Sequence, residues 1–269
     1  MDRTSLETAL NAVMDAFPAQ TALYCVDLRS GTPLAAIREN TQVVSASTIK
    51  LPVLCCALQD VMDGRLSLDQ VLPILPEDFC DDTRVFEPEY RQDGASLWEL
   101  LYWMIVSSDN TATNAVLSLL GFDHINRYCA SIGLTQSCVQ RKMLDFEAIA
   151  QGRNNYTSPA DQYRVYELLY HGRILNAPLR KVAFDFLGRS RSFESLQRYL
   201  PDPVTVYHKP GGLDHLSHDA GIFLVEPNPY YLGVFTWDGP ALDGEPQQDR
   251  LIGKLSRMVY DAVTKGGNP

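Results

Sequence analysis

A serine and a lysine three positions apart, Ser47 and Lys50, have the residue types and spacing of an acyl-transfer nucleophile. Residues at i and i+3 share one face of a helix, so the lysine amine can reach the serine oxygen. A serine hydroxyl attacks a carbonyl only when a base takes its proton, and a lysine serves when burial or another cation depresses its pKa. By itself, an S-x-x-K pair is expected about once by chance in a chain of this length. In that case Ser47 would be a helix N-cap and Lys50 a solvated side chain.

A second serine stands in the tripeptide Ser108-Asp109-Asn110, between two apolar helical patterns. Its hydroxyl could pass a proton to a leaving group, and the Asn110 amide could hydrogen-bond a substrate amide. Out of context, an ordinary helix cap is the better explanation of these three residues.

A third group, K-P-G-G, begins at Lys209 and follows the β-rich run VTVYH. A cation here can hold a substrate carboxylate, and Gly211 would let a substrate lie along the strand edge. The N–H groups of Gly212 and Ser47 could together bind an oxyanion. The alternative is a simple Pro-Gly-Gly turn, and a similar K-G-G at Lys265 sits in a polar tail.

The elements that would position these residues are helices in the middle of the chain and strands near both ends. An amphipathic N-terminal helix precedes two strand-like runs with a hairpin signal at Ser30–Gly31, and a helical pattern runs from Ser47 to Gly64. Another helix begins at Ser158–Pro159. The late β-rich runs and the closing helix are VTVYHKPGG, HDAGIFLVEP, YYLGVFTWDG and LIGKLSRMVYDAVTK.

This order of elements predicts an α/β (α+β) fold in one domain over residues 1–269. Both chain ends, about 1–46 and 201–269, would build one antiparallel sheet, and a helical lobe of about 47–200 would be inserted between them. A cleft between sheet and helices is the usual place for an active site.

Composition limits the partners and the compartment. The net charge of −10 argues against nucleic acid and an anionic membrane surface as partners, and no apolar stretch is long enough to cross a bilayer. The N-terminus lacks the apolar segment of a signal peptide, so we expect a cytoplasmic protein, unless an export signal once preceded this sequence. Its six cysteines lack metal-binding spacing and are expected to be reduced core residues.

Taken together, the motifs match S-x-x-K, S-D-N and K-T-G, the signature of class A β-lactamases and penicillin-binding proteins, in the same order. The segments SASTIKLPV and IVSSDNTATNAVLSLLG resemble the segments of that group that surround its first two motifs. The resemblance extends from the first helix to the last. It implies a β-lactamase/transpeptidase-like fold and a serine hydrolase that needs no metal or organic cofactor.

The resemblance also implies a role for each motif residue. Ser47 attacks a carbonyl carbon and becomes acylated, while Lys50 takes its proton. Ser108, assisted by Lys209, relays a proton to the leaving group. The backbone N–H groups of Ser47 and Gly212 hold the oxyanion.

One departure from the family concerns deacylation. Class A enzymes carry an R-x-E-x-x-L-N loop whose glutamate activates the hydrolytic water, and the corresponding stretch here runs from Arg141 to Glu147. Met143 occupies the glutamate position, and a thioether cannot accept a proton at neutral pH. Asp145 and Glu147 are weak candidates for a substitute base, because the register is wrong for both. We therefore predict that an acyl-enzyme formed from a penicillin persists.

The second departure concerns substrate binding, which the resemblance assigns to Asn110 and Gly211. Pro210 replaces a threonine or serine whose hydroxyl helps to hold a substrate carboxylate. His218 stands where class A members often carry an arginine, so it could be a partial substitute or a structural histidine.

The predicted function is that of a β-lactamase-type serine hydrolase acting on a β-lactam or a related small amide or ester. The alternatives are a D-alanyl peptidase or esterase with weak or no β-lactamase turnover, and a penicillin-binding sensor that has lost catalysis. The sequence does not indicate an oligomeric state.

Overall fold

The computed structural model describes residues 2–81, 85–87, 93–201, 204–241 and 246–265. The helices are α1 Arg3–Asp15, α2 Lys50–Met62, α3 Leu97–Val106, α4 Asn110–Leu120, α5 Phe122–Ser131, α6 Phe146–Ala150, α7 Pro159–Tyr170, α8 Ala177–Leu187 and α9 Gln247–Lys265. The strands are β1 Gln20–Asp27, β2 Pro33–Ile37, β3 Val43–Val44, β4 Val71–Leu72, β5 Ala95–Ser96, β6 Tyr156–Thr157, β7 Thr205–Leu213, β8 Leu216–Leu224 and β9 Tyr230–Trp237. Short 3-10 helices cover Ala46–Ile49 and Pro76–Asp78.

Strands from both chain ends form one antiparallel sheet of five strands, in the order β2-β1-β9-β8-β7. The two ends meet where β1 pairs with β9, from Gln20 opposite Trp237 to Asp27 opposite Tyr230. The predicted mixed fold with an antiparallel sheet built from both ends is confirmed.

The sheet is covered on both faces. On one face α1 and α9 pack against it, and the α1 residues Leu6, Leu10 and Met14, spaced four apart, are buried there. On the other face lies α7, where the Tyr166 hydroxyl donates to the Ala220 carbonyl at 2.8 Å. The helix α2, whose residues are almost all buried, lies among the other helices beyond it. The segment that carries Ser47 is therefore held by the helical core next to the sheet.

The structure refines three predictions of element boundaries. The helical pattern predicted from Ser47 starts as a 3-10 helix, and the α-helix proper begins at Lys50. The K-P-G-G segment is not a turn, because β7 continues through it to Leu213. β7 is an edge strand, where the missing N–H of Pro210 is tolerated. The closing helix α9 begins at Gln247, four residues earlier than predicted.

All six cysteines are free thiols, and Cys25, Cys55, Cys56 and Cys129 are buried as predicted, while the other two are half-buried. Burial raises the pKa of Cys56 and of Cys129 to about 12, which keeps both as neutral thiols. No helix in the described ranges combines the length and the apolar character needed to span a bilayer. Lys265 ends α9 beside Asp261, and the two glycines that follow it lie outside the described residues.

Candidate active site

Ser47 lies in the 3-10 helix that joins β3 to α2, and its surroundings fix its position. Ala46, just before it, has a positive φ of 44°, an unusual conformation for a residue with a side chain. The buried Thr48, just after it, donates its hydroxyl to the Ser45 carbonyl at 2.6 Å. The Gln162 amide of α7 donates to the Thr48 carbonyl at 3.3 Å. Ser47 itself is half-buried and lines a cavity.

Lys50 begins α2 with its side chain fully buried. Its amine donates to the Ser108 carbonyl and to Asn110 Oδ1, both at 2.7 Å, and lies 3.1 Å from Ser108 Oγ. The S-x-x-K and S-D-N motifs are therefore joined directly by hydrogen bonds.

Lys209 approaches the same serine from β7. Its amine, also buried, donates to Ser108 Oγ at 3.0 Å and to the Pro210 carbonyl at 2.8 Å. Two buried amines thus flank one hydroxyl, in the arrangement that a proton relay requires. Ser108 holds this position with a φ of 59°, a strained conformation that costs about 1–3 kcal/mol and persists where surrounding contacts impose it.

The edge strand β7 lies against the backbone of the 3-10 helix. A β-carbon at Gly211 would come within 2.7 Å of the Ser47 nitrogen and 2.8 Å of the Thr48 nitrogen, so a larger residue at Gly211 would collide with backbone. Gly212 is the next residue, is exposed and lines the same cavity as Ser47. Gly211 therefore serves close approach, which brings the strand backbone beside Ser47.

Ser47 opens into two adjoining cavities. The larger, of about 410 Å³, is called the strand chamber here and is lined by Ser47, Ser108, Asn110, Ser192, Glu194, Ser195, Pro210, Gly211, Gly212, Leu213, Asp214, Leu216, Ser217 and Asp249. The smaller, of about 160 Å³, is called the loop chamber and is lined by Ala46, Ser47, Asn110, Arg141, Met143, Leu144, Phe146, Ile149, Gly212 and Leu213.

Met143 is held in the wall of the loop chamber by Asn114 of α4. The Met143 N–H donates to Asn114 Oδ1 at 2.7 Å, and Asn114 Nδ2 donates to the Met143 carbonyl at 3.4 Å. The methionine side chain is largely buried. A thioether, and not a carboxylate, therefore lines the cavity that Met143 shares with Ser47.

The two candidate carboxylates of the loop are placed elsewhere. Asp145 caps α6 by accepting the Ala148 N–H at 2.9 Å. Glu147 is exposed and accepts a hydrogen bond from Gln151 Nε2 at 3.2 Å. Neither residue lines the loop chamber, so the structure does not bring them to Ser47.

His218 is also not brought to either chamber, which corrects its assignment to substrate binding. The ring is fully buried, with Nε2 2.9 Å from the Val44 carbonyl. The Thr236 N–H donates to Nδ1 at 3.2 Å. Burial lowers the pKa of His218 to about 4, so the ring is neutral near pH 7. Successive residues of a strand point to opposite faces, and it is the neighbouring Ser217 that lines the strand chamber.

Several residues of the site escaped the sequence reasoning. Ser217 donates its hydroxyl to Asp249 of α9 at 2.5 Å, and both line the strand chamber. Ser195, which lines the same chamber, donates to the fully buried Asp219 at 2.7 Å. Asn114 stands four residues after Asn110 on one helix face, and that spacing is the only signal that could have indicated it.

Comparisons with known proteins agree with this geometry. A model of the Beta-lactamase enzyme family matches residues 5–263. The Nocardia farcinica protein named Beta-lactamase FAR-1 is 30% identical over 94% of this chain and 81% of its own. A Streptomyces cellulosae β-lactamase is 26% identical over 94% of this chain and 83% of its own.

Solved structures show the same fold. The structure of PBP-A superposes with a TM-score of 0.89 at 26% identity, covering 97% of both chains. The TLA-1 extended-spectrum β-lactamase superposes with a TM-score of 0.88 at 17% identity, covering 98% of this chain and 99% of that one. The chain therefore belongs to the Beta-lactamase enzyme family and is a serine hydrolase of the class A type.

Proposed function

We propose that Ser47 is acylated by a β-lactam or a related small amide or ester, and that the acyl-enzyme is hydrolysed slowly. Supporting the first part is the hydrogen-bonded group of Lys50, Ser108 and Lys209 beside Ser47. Supporting the second is Met143 in the wall of the loop chamber.

Acylation follows from the arrangement of the two amines. In its uncharged form Lys50 can take the Ser47 proton as the serine oxygen bonds to the carbonyl carbon. The carbonyl oxygen gains negative charge, which the N–H groups of Ser47 and Gly212 stabilise. When the bond to the leaving group breaks, Ser108 gives its hydroxyl proton to the leaving atom and is reprotonated by a flanking lysine.

Deacylation requires a water molecule beside the ester carbon and a base to take its proton. The loop chamber offers the space, but among its described lining residues none is a carboxylate, and its one ionisable group is the cationic Arg141. General-base assistance contributes about 10²–10⁴-fold, so its loss predicts an acyl-enzyme that persists. Met143 in this position is the observation that carries the proposal of slow turnover.

The test is intact-protein mass spectrometry after prolonged incubation with excess penicillin. The wild type should gain one penicillin mass that decays slowly, and Ser47→Ala should gain none. An adduct of equal yield on Ser47→Ala, or no wild-type adduct together with no hydrolysis, would overturn the proposal. Rapid hydrolysis by the wild type would overturn its second part.

Met143→Glu tests the missing base directly. The added carboxylate should shorten the lifetime of the adduct by about 10²-fold or more, because it can take the proton of the water. Met143→Gln has nearly the same size but no basic group, and it should leave the lifetime close to that of the wild type. Equal effects of the two substitutions would mean that side-chain polarity, not basicity, limits deacylation.

A penicillin-binding protein without rapid turnover, either a D-alanyl peptidase or esterase or a sensor, is the second candidate. Met143 and the absence of a hydroxyl at Pro210 favour it. The solved relatives include an acyl-enzyme complex of a PBP-A mutant with penicillin G, at 26% identity. Turnover of a chromogenic ester that Ser47→Ala abolishes would indicate an enzyme, and stable acylation without turnover of any ester would indicate a sensor.

A further inference from the structure

This inference starts from the proposed acylation of Ser47, in which the leaving group lies in the strand chamber. Ser108, which gives its proton to the leaving atom, lines the strand chamber and does not line the loop chamber. The part of the substrate that departs therefore lies towards the β7–β8 turn and the start of α9. The charge of these walls decides which leaving groups bind.

The described walls of this chamber are anionic. Asp249, Glu194 and Asp214 line it, and none of the described lining residues is a lysine or an arginine. The lysine at its base, Lys209, directs its amine to Ser108 and to the Pro210 carbonyl. Carboxylates that line a partly enclosed cavity repel an anion and attract a cation.

Hydroxyl or cationic groups that bind a substrate carboxylate would offset this charge. At the candidate positions they are absent or hydrogen-bonded to other groups. Pro210 has no hydroxyl. The Ser217 hydroxyl donates to Asp249 at 2.5 Å, and Ser195 donates to Asp219 at 2.7 Å. His218 lies on the opposite face of β8, with its ring bonded to the Val44 carbonyl. Hydroxyls that donate to carboxylates present their lone pairs to the chamber, and lone pairs accept from a cationic donor.

Asp249 is the member of this group with a fixed position. It lies in the first turn of α9, accepts the Ser217 hydroxyl and is half-buried, whereas Glu194 and Asp214 are exposed. A carboxylate that is half-buried and held by a neighbour interacts more strongly with a ligand charge than an exposed one, because water screens it less.

We propose that the strand chamber selects small acyl compounds whose leaving group carries an ammonium or similar cationic group, with Asp249 as the specificity-determining residue. This inference rests on the proposed function and defines its substrate class. Penicillins carry a carboxylate beside the leaving nitrogen. They therefore acylate Ser47 more slowly than a cationic substrate of equal reactivity.

The test uses three phenylacetyl esters of phenols with para-aminomethyl, para-hydroxymethyl or para-carboxymethyl groups. The methylene keeps the reactivities of the leaving groups similar while the charge changes from positive to neutral to negative. kcat/KM, followed through release of the phenol, should fall about tenfold at each step, and added salt should reduce the difference. A carboxymethyl ester hydrolysed as fast as the neutral one would overturn the inference.

Asp249→Asn assigns the effect to its residue. It should lower the ratio of kcat/KM for the aminomethyl ester to that for the carboxymethyl ester about tenfold. Glu194→Gln, which removes an exposed carboxylate, should lower the ratio less. Glu226→Gln is the matched control, since Glu226 pairs with Arg29 beyond the far end of β8, and the ratio should not change.

The outcomes separate this inference from the proposed function. A ratio unaltered in Asp249→Asn would overturn the role of Asp249. Ester hydrolysis that persists in Ser47→Ala would overturn the proposed function whatever the charge preference. Failure of all three esters with a protein that penicillin still acylates would overturn this inference alone, and failure of penicillin as well would overturn both.

Discussion

The strand chamber and the loop chamber share Ser47, Asn110, Gly212 and Leu213, yet their other walls differ in chemistry. The strand chamber is polar, with hydroxyls and carboxylates around the proposed departure path of the leaving group. The loop chamber is lined mainly by apolar side chains, with Met143 where a water-activating base would be needed. On the proposed function, acylation and deacylation depend on separate walls, so one can be retained while the other is absent.

Lys50→Met should have the largest effect, because it removes the proposed base for acylation while leaving the loop chamber unchanged. We expect the rate of adduct formation with a penicillin to fall about 10³-fold, because general-base catalysis is lost. Once formed, the adduct should still persist, since Met143 is unchanged. The measurement is the time course of adduct mass.

Lys181→Met on α8 is the control for Lys50→Met, because Lys181 is an exposed partner of Asp185. It should acylate at the wild-type rate. Acylation of Lys50→Met at nearly the wild-type rate would transfer the role of base to Lys209.

A smaller effect should come from Asn114→Ala, which releases the wall of the loop chamber. The substitution leaves the Met143 N–H and carbonyl without their side-chain partner and should lower the free energy of unfolding by about 2 kcal/mol. It should also alter the lifetime of the adduct, because Met143 is no longer held. Urea denaturation and adduct decay are the two measurements.

The control for Asn114→Ala is Asn126→Ala. Asn126 makes the same two kinds of bond to the backbone of Val139, accepting at 2.8 Å and donating at 2.9 Å. It should destabilise the fold to a similar extent without altering the decay of the adduct. If the adduct decays at the same rate in both variants, the position of Met143 does not control deacylation.

The smallest effect concerns the neutral His218 of β8. Its pKa is about 4 in the folded chain and 6.5 ordinarily, so between these values the unfolded chain binds the additional proton. The free energy of unfolding therefore falls as pH falls through this window, by about 2 kcal/mol between pH 7 and pH 5. His218→Gln should remove this part of the pH dependence in urea denaturation.

The exposed His171 supplies the control for the pH measurement, and His171→Gln should keep the wild-type dependence. A wild-type stability that does not change between pH 7 and pH 5 would mean that His218 can be protonated in place. His218 would then again be a candidate for binding a substrate carboxylate.

The sequence was sufficient for the fold and for the prediction that the three motifs come together, as the contacts of Lys50 and Lys209 with Ser108 show. The three motifs are rare in combination, and each lies in the context that its role requires: a helix start, a helix junction and a strand. The hairpin at Ser30–Gly31 and the helix start at Ser158–Pro159 were also predictable, because turns and caps depend on local chemistry.

The rest of the site depends on contacts that no local pattern encodes. Asp249 meets Ser217 only because α9 packs beside β8, and Met143 meets Asn114 only because the loop folds over α4. The sequence left His218 open between a substrate ligand and a structural histidine, because a strand turns each successive side chain to the other face and one residue of register decides between the two. Matching sequence positions to those of related proteins does not show to which face of the sheet a side chain points.

Because β1 lies between β2 and β9, the sheet contains pairings such as Gln20 with Trp237 that join the two ends of the chain. Contacts so distant in sequence make folding slow, since long loops must close before the pairing stabilises them. A nascent chain that has left the ribosome only as far as α8 carries Ser47 and Lys50 but not Lys209. Labelling by a fluorescent penicillin would therefore report the last stage of folding in real time.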